Sequence, residues 1–206
     1  MEFISVMEII GTVAFAITGA LVAVEKDLDY YGICFLAIIT AVGGGIVRDI
    51  IIDLDIPVSL DNPSYVIISL ATALLVILFY KHIVNLERLI TLCDALGLAA
   101  FTAIGSAAAT THGFFEPFII ITLAMLTGTG GGTIRDICAR EIPFVFKKEV
   151  YAVASLVGAI AYIIAYRLVY QMASMYICFG VTFLIRMISI KKNIHLGKVN
   201  NVDAEE

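Results

Sequence analysis

Seven apolar stretches follow one another along this chain with only short polar breaks between them. Each is close to the roughly 20 residues that an α-helix needs to cross a hydrocarbon core. They run over residues 3–24, 30–52, 63–80, 89–111, 114–139, 150–168 and 173–189. In lipid every backbone N–H and C=O must be satisfied within the protein, so spans of this kind fold as helices. The expectation is an all-α polytopic membrane protein with seven transmembrane helices. One membrane domain occupies residues 1–190, and 191–206 form a polar cytoplasmic tail. Composition points the same way: 61% hydrophobic residues and 15% charged ones, with a mean hydropathy of +1.00, exclude a water-soluble domain. The first span carries Glu8 and is preceded by Glu2 rather than by basic residues, so it is expected to be retained and not cleaved as a signal peptide.

The basic residues orient the chain. In a seven-span arrangement Lys26, Lys81, Arg88, Arg140, Lys147, Lys148, Arg186, Lys191, Lys192 and Lys198 fall on one side, and Arg167 falls in a loop of the other. The positive-inside rule makes the first side cytoplasmic, with the amino terminus outside and the carboxyl terminus inside a cell (inner or plasma) membrane. Basic residues confined to short loops serve lipid headgroups, so no nucleic-acid partner is expected. Arg48 and Arg135 belong to neither set; they lie inside spans.

Those two arginines belong to an internal repeat. A shift of 86 or 87 positions brings Gly43-Gly44-Gly45-Ile46-Val47-Arg48-Asp49 onto Gly130-Gly131-Gly132-Thr133-Ile134-Arg135-Asp136. The same register pairs Glu8 with Asp94, Gly11 with Gly97, Phe15 with Phe101 and Gly19 with Gly105. It also pairs Ile56-Pro57 with Ile142-Pro143, and Tyr65 and Ser69 with Tyr151 and Ser155. A three-span unit is duplicated, about 3–80 and about 89–168, with a seventh helix at 173–189 outside the repeat. An odd number of crossings separates each residue from its copy, so the second unit enters the membrane from the opposite side. Inverted repeats of this kind build solute paths at the midplane of many transport proteins.

Three consecutive glycines lower helix propensity by about 1 kcal/mol each and strip one turn of side chains. The triplets are therefore expected to bend or unwind their helices and to line a path, where freed backbone groups find water. Gly11, Gly19, Gly97 and Gly105, spaced by eight, are assigned to close helix packing instead. Thr40, Thr127 and Thr129 beside the triplets offer hydroxyls either to a solute or to their own backbone.

An arginine within a span costs about 2.5–3.5 kcal/mol on insertion scales unless it is paired or wet. Asp49 and Asp136 stand about 100° around the helix from Arg48 and Arg135 and read as poor partners. Matching depth in the membrane suggests two equivalent ion pairs instead, Glu8 with Arg48 and Asp94 with Arg135. Cys34, Cys93, Cys138 and Cys178 are unpaired in spacing and read as buried thiols. His82, His112 and His195 fall in loops or the tail. Neither set suggests a metal or cofactor site, and no clustered nucleophile or base suggests an enzyme.

Duplicated Gly-Gly-Gly-x-x-Arg-Asp motifs, each followed by Ile-Pro, in seven spans resemble the prokaryotic branch of the trimeric intracellular cation (TRIC) channel family, also described as a glycine-transporter family. The resemblance extends to about residue 190. It implies a homotrimer with one pore per subunit, second and fifth helices kinked at Gly43–Gly45 and Gly130–Gly132, and passage of monovalent cations, chiefly potassium and also sodium. Arg48 and Arg135 then read as gating residues. Animal members carry long basic tails, whereas this tail ends in Asp203, Glu205 and Glu206, so lipid or calcium regulation is not carried over. The competing reading is a carrier for glycine or a similarly small metabolite.

Overall fold

The spans fold where their apolar runs place them. The structure, a computed structural model, describes residues 6–147 and 150–192, without the Lys147 side chain. Glu2, Lys148, His195, Lys198 and the acidic tail end lie outside the described residues. Helices α1 (Val6–Glu25), α2 (Tyr30–Ile51), α4 (Ser64–Phe79), α5 (Leu86–Thr111), α6 (Pro117–Cys138), α8 (Val150–Tyr166) and α9 (Gln171–Lys192) correspond to the seven stretches. Two four-residue helices, α3 (Val58–Asp61) and α7 (Phe144–Lys147), follow the two Ile-Pro dipeptides. Among the described residues six helices are long and apolar enough to cross a membrane, and α8, with 17 residues, is shorter.

Start and stop signals explain the boundaries. Asp29 Oδ1 accepts the Gly32 N–H at 2.7 Å to open α2, Asn85 Oδ1 accepts the Arg88 N–H at 2.9 Å to open α5, and Pro117 occupies the first turn of α6. The repeat reaches even the helix ends. Asp27, Asp53, Gly113 and Arg140 all adopt positive φ, at 52°, 60°, 82° and 57°. At each of them the next residue's N–H bonds back to a carbonyl five positions earlier, as in Leu54 to Asp49 (3.0 Å) and Glu141 to Asp136 (2.8 Å). Asp27 matches Gly113 and Asp53 matches Arg140 in the repeat register.

Packing is duplicated in the same way. Within the first unit α1 packs on α2 and α4, and α2 on α4; within the second, α5 packs on α6 and α8, and α6 on α8. The units join through α1 against α5 and α2 against α6. Helix α9 has no counterpart in the first unit and packs on α5 and α8.

Small residues set these approaches, since lipid supplies no hydrophobic drive between helices. A Cβ on Gly97 would lie inside the Phe15 ring, and one on Gly11 would stand 3.2 Å from the Phe101 ring, so each phenylalanine fills the other unit's glycine notch. The two rings meet at 5.2 Å between centroids. A Cβ on Gly19 would come 2.6 Å from Thr40 Oγ1, and one on Gly105 2.7 Å from Thr127 Oγ1, which closes α1 on α2 and α5 on α6. The triplets follow the same rule: a Cβ on Gly44 would strike the Thr127 carbonyl, and one on Gly131 the Thr40 carbonyl. The α2 and α6 backbones touch there.

The expected unwinding at the triplets is absent. Both helices run unbroken through Gly43–Gly45 and Gly130–Gly132. The missing side chains are used for helix contact, so the backbone keeps its own hydrogen bonds and avoids the cost of leaving them open in lipid.

Candidate functional site

The Arg-Asp of each repeat ends its helix facing the Pro-containing chain that follows. In the second unit Arg135 is fully buried. Its Nε donates to Asp136 Oδ1 at 2.8 Å, its Nη1 donates to Asp94 Oδ1 at 3.0 Å, and its guanidinium stands 5.1 Å from the Phe144 ring centroid. Asp136 Oδ2 accepts the Phe144 N–H at 2.8 Å. In the first unit Arg48 Nε donates to Asp49 Oδ1 at 2.7 Å, and Asp49 Oδ2 accepts the Val58 N–H at 2.9 Å.

Adjacent arginine and aspartate are therefore partners, contrary to the expectation from helical spacing. The physical reason lies outside the helix. The chain reversal after Ile-Pro brings a backbone N–H to one carboxylate oxygen, which turns the carboxylate so that the other oxygen meets the arginine's Nε. Long arginine stems cover the 100° offset with ease. Each aspartate thus satisfies an orphan donor at the start of the short helix and neutralises a buried charge.

The acids from α1 and α5 complete the two half-sites differently. Asp94 bonds Arg135 directly. Glu8, one methylene longer, accepts the Tyr65 hydroxyl at 2.9 Å and shares a cavity of about 30 Å³ with Arg48, Asp49, Ser59 and Phe101. The cavity has room for about one water. Tyr151, the repeat partner of Tyr65, is buried with its hydroxyl unpartnered. Its Oη, the Asp94 carboxylate and Arg135 Nη2 converge on Gly132, where a Cβ would stand 3.1, 3.6 and 3.7 Å from them. Gly45 has the corresponding place in the first unit, with Arg48 Nη2 3.9 Å from its Cβ position. Gly43 faces Ile134, and Gly130 faces the Gly44 backbone.

Arg186 is where sequence reasoning went astray. It reads as a charge facing lipid headgroups, yet it sits inside α9, 2% exposed, with its guanidinium 5.1 Å from the Tyr151 ring centroid. Its position within the seventh apolar stretch, three residues before the end of that stretch, was the signal. Tyr65 and Tyr151 were likewise visible as a repeated pair without an assigned role. The threonine hydroxyls bond their own helices: Thr40 to Leu36 O, Thr127 to Leu123 O at 2.6 Å and Thr129 to Met125 O at 2.7 Å. Of the four free cysteines, Cys93 and Cys178 are buried, Cys34 is half-buried and Cys138 is exposed, so the buried-thiol expectation fails at Cys138.

A family model described as glycine transporter matches residues 5–81 and 91–167, one copy for each repeat. The UPF0126 inner membrane protein YadS of Escherichia coli K12 is 35% identical over 194 residues, covering 92% of this chain and 93% of YadS. The YvgT membrane protein of Bacillus subtilis is 38% identical over 155 residues, 75% of this chain and 76% of YvgT. A structure described for conductance through TRIC cation channels matches with a TM-score of 0.88 at 30% identity, covering 97% of this chain and 98% of that one. This chain belongs to the prokaryotic TRIC channel family. A prokaryotic TRIC channel crystallised in 0.5 M KCl aligns with a TM-score of 0.87 and 35% identity over 92% of this chain and 96% of its own. The TRIC orthologue from Rhodobacter sphaeroides aligns with 0.87 and 30% over 91% and 97%. The TRIC likeness supports a cation channel, and the inner-membrane relatives support a multi-pass location there, in agreement with the helices.

Proposed function

We propose that the chain is a monovalent cation channel passing potassium and also sodium, with one path in each subunit of a homotrimer, lined by α2 and α6. The amino terminus is outside and the carboxyl terminus cytoplasmic. The observation that carries this reading is the pair of buried arginine–carboxylate half-sites at the two ends of the α2–α6 crossing. Buried ionisable groups in a membrane are expensive and mark ion pathways.

The half-sites have different depths. With the basic loops on the cytoplasmic side, Glu8, Arg48 and Asp49 stand in the outer half of the bilayer and Asp94, Arg135 and Asp136 in the inner half. The Phe15–Phe101 ring pair lies between them: Phe101 lines the outer cavity and Phe15 abuts Gly131, next to the inner half-site. This apolar constriction closes the path by exclusion of water until the rings part. A cation that reaches either half-site meets two carboxylates against one guanidinium, and Arg48 and Arg135 act as movable counter-charges. Intact helices keep the triplet carbonyls occupied, so coordination falls to the carboxylates and to the lone pairs of Thr40, Thr127 and Thr129, whose protons are spent on their own backbones.

The test is potassium flux through purified protein in sealed liposomes beside radiolabelled glycine uptake. Fast, non-saturating potassium flux without glycine uptake supports the channel. Saturable glycine uptake without conductance makes the protein a carrier, as the family model's description suggests, and turns the same half-sites into a substrate pocket.

A further inference from the structure

Where α1 turns into α2 and α4 ends, a groove of about 680 Å³ belongs to neither half-site. Its lining changes character with depth. Ile33, one turn inside α2, and Ile77 and Leu78, in the last turn of α4, give it an apolar part that opens outward at the exposed Leu78. Asp27, Asp29 and Lys81, at the helix ends, give it charges of both signs, and Tyr30 and Tyr80 stand with them. These charges are not spent on one another. Lys81 Nζ lies 6.0 Å from the Tyr80 ring centroid, and neither Lys81 nor Asp27 has an ion pair among the described residues. Asp29 uses Oδ1 to accept the Gly32 N–H at 2.7 Å and keeps its second oxygen. The neighbouring Lys26 is held by Glu141 at 2.6 Å. Asp27 itself stands at the tip of the turn, with φ 52°.

We propose that this groove binds a phospholipid with a zwitterionic, primary-ammonium headgroup, phosphatidylethanolamine. The ammonium meets Asp27 and the remaining oxygen of Asp29, the phosphate meets Lys81, and an acyl chain lies over Ile33, Ile77 and Leu78. The ends of spanning helices stand at the headgroup level, where tyrosines place an apolar ring and a polar tip. A groove with charges of both signs is matched by a ligand that carries both. Two carboxylates against one ammonium leave the groove negative by one, so an anionic phosphatidylglycerol headgroup adds repulsion and offers Asp27 no cation. A choline headgroup brings the cation but no N–H, and it forfeits the charge-assisted hydrogen bonds to the carboxylates. Selectivity thus comes from what the other headgroups leave unpaired as well as from what this one satisfies. A partly exposed charge pair sets the size of the preference at about two- to fivefold. The inference does not depend on what passes through the path between α2 and α6.

Fluorescence quenching by brominated lipids tests this. The chain has no tryptophan, so Leu78→Trp places a single reporter in the groove. The purified full-length variant is reconstituted in bilayers in which a fraction of one lipid carries brominated acyl chains, and the quenching gives the occupancy of the groove by that lipid. Brominated phosphatidylethanolamine is expected to be preferred over brominated phosphatidylcholine and phosphatidylglycerol by about two- to fivefold. Asp27→Asn in the same background keeps a residue that tolerates positive φ and should abolish the preference over phosphatidylcholine. Equal quenching by the three lipids, or best quenching by phosphatidylglycerol, overturns the proposal. So does a preference that survives Asp27→Asn. Absence of quenching by every lipid also overturns it, because a second copy or another part of the chain then covers the groove. If Leu78→Trp does not reconstitute, native mass spectrometry of the wild type decides: phosphatidylethanolamine retained through detergent no better than the other two lipids overturns the proposal.

Discussion

Alanine at Gly131 separates the packing role of the triplets from a hinge role. A Cβ there overlaps the Thr40 carbonyl and stands 3.1 Å from two Phe15 ring carbons. The obstacle is backbone on a neighbouring helix, which cannot rotate away, so α2 and α6 must part by about an ångström. Overpacking of this kind costs about 1–3 kcal/mol, and the upper part of that range applies because backbone is struck. Alanine returns about 1 kcal/mol of helix propensity. The net loss is about 1–2 kcal/mol, or about 2–8 °C in the melting temperature of a chain this long. Gly45→Ala is the control: its Cβ meets only Arg48 Nη2 at 3.9 Å, so it should gain the propensity and melt at or slightly above wild type. Thermal unfolding of both detergent-solubilised variants, followed by tryptophan-independent far-ultraviolet dichroism because the chain has no tryptophan, reads the difference. Equal melting temperatures for the two would refute the packing argument and restore flexibility as the reason for the triplets.

Three further outcomes follow from the half-sites and loops. Tyr65→Phe removes the hydroxyl that Glu8 accepts and should cost about 1–2 kcal/mol, whereas the repeat-equivalent Tyr151→Phe removes a hydroxyl with no partner and should be neutral or slightly stabilising; chemical or thermal unfolding compares them. Asp94→Asn leaves Arg135 with Asp136 as its one carboxylate and should destabilise by about 1.5–3 kcal/mol, the worth of a hydrogen bond between charged groups, read as a lower melting temperature. Lys26 and Glu141 pair at 2.6 Å across two loops, both part-exposed, so Lys26→Met should leave the melting temperature unchanged at neutral pH. The hydrogen bond and charge of Glu141 raise the Lys26 pKa above 10.5; any stability from the pair is therefore fully present below 10.5 and lost as pH rises through the raised value, which a pH series of melts checks.

Much of this architecture is legible in the sequence because lipid restricts the choices. Seven apolar runs become seven helices, the 86–87 residue shift gives the equivalence of Phe15 with Phe101 and of Glu8 with Asp94, and matching depth in the membrane gives the ion pair of Asp94 with Arg135. The errors share one cause: they concern atoms placed by a second element. Helical spacing says that Asp49 and Asp136 turn away from their neighbouring arginines, and it fails because the Val58 and Phe144 N–H groups re-aim the carboxylates. Propensity says that three glycines loosen a helix, and it fails because the opposing carbonyls of Thr40 and Thr127 occupy the notch. Arg186 was misplaced because charge counting by loops has no means of showing that an aromatic ring on α8 awaits it. The cost that the membrane sets on such a charge was in the sequence; its partner was in the fold.

The asymmetry between the half-sites bears on channel against carrier. A carrier that alternates by exchanging the conformations of inverted repeats needs two states of similar free energy, and that holds best when the repeats are interchangeable. Here the backbones are duplicated down to the positive-φ residues at helix ends, yet the chemistry is not. Glu8 is one methylene longer than Asp94 and accepts the Tyr65 hydroxyl, whereas the hydroxyl of the equivalent Tyr151 has no hydrogen-bond partner among the described residues. Helix α9 packs on α5 and α8 and buries Arg186 beside the second unit, with no counterpart beside the first. Exchanging the two conformations would ask the first unit to seal a half-site without α9 and the second to open a cavity against it. A path with fixed, unequal ends has no need of that exchange.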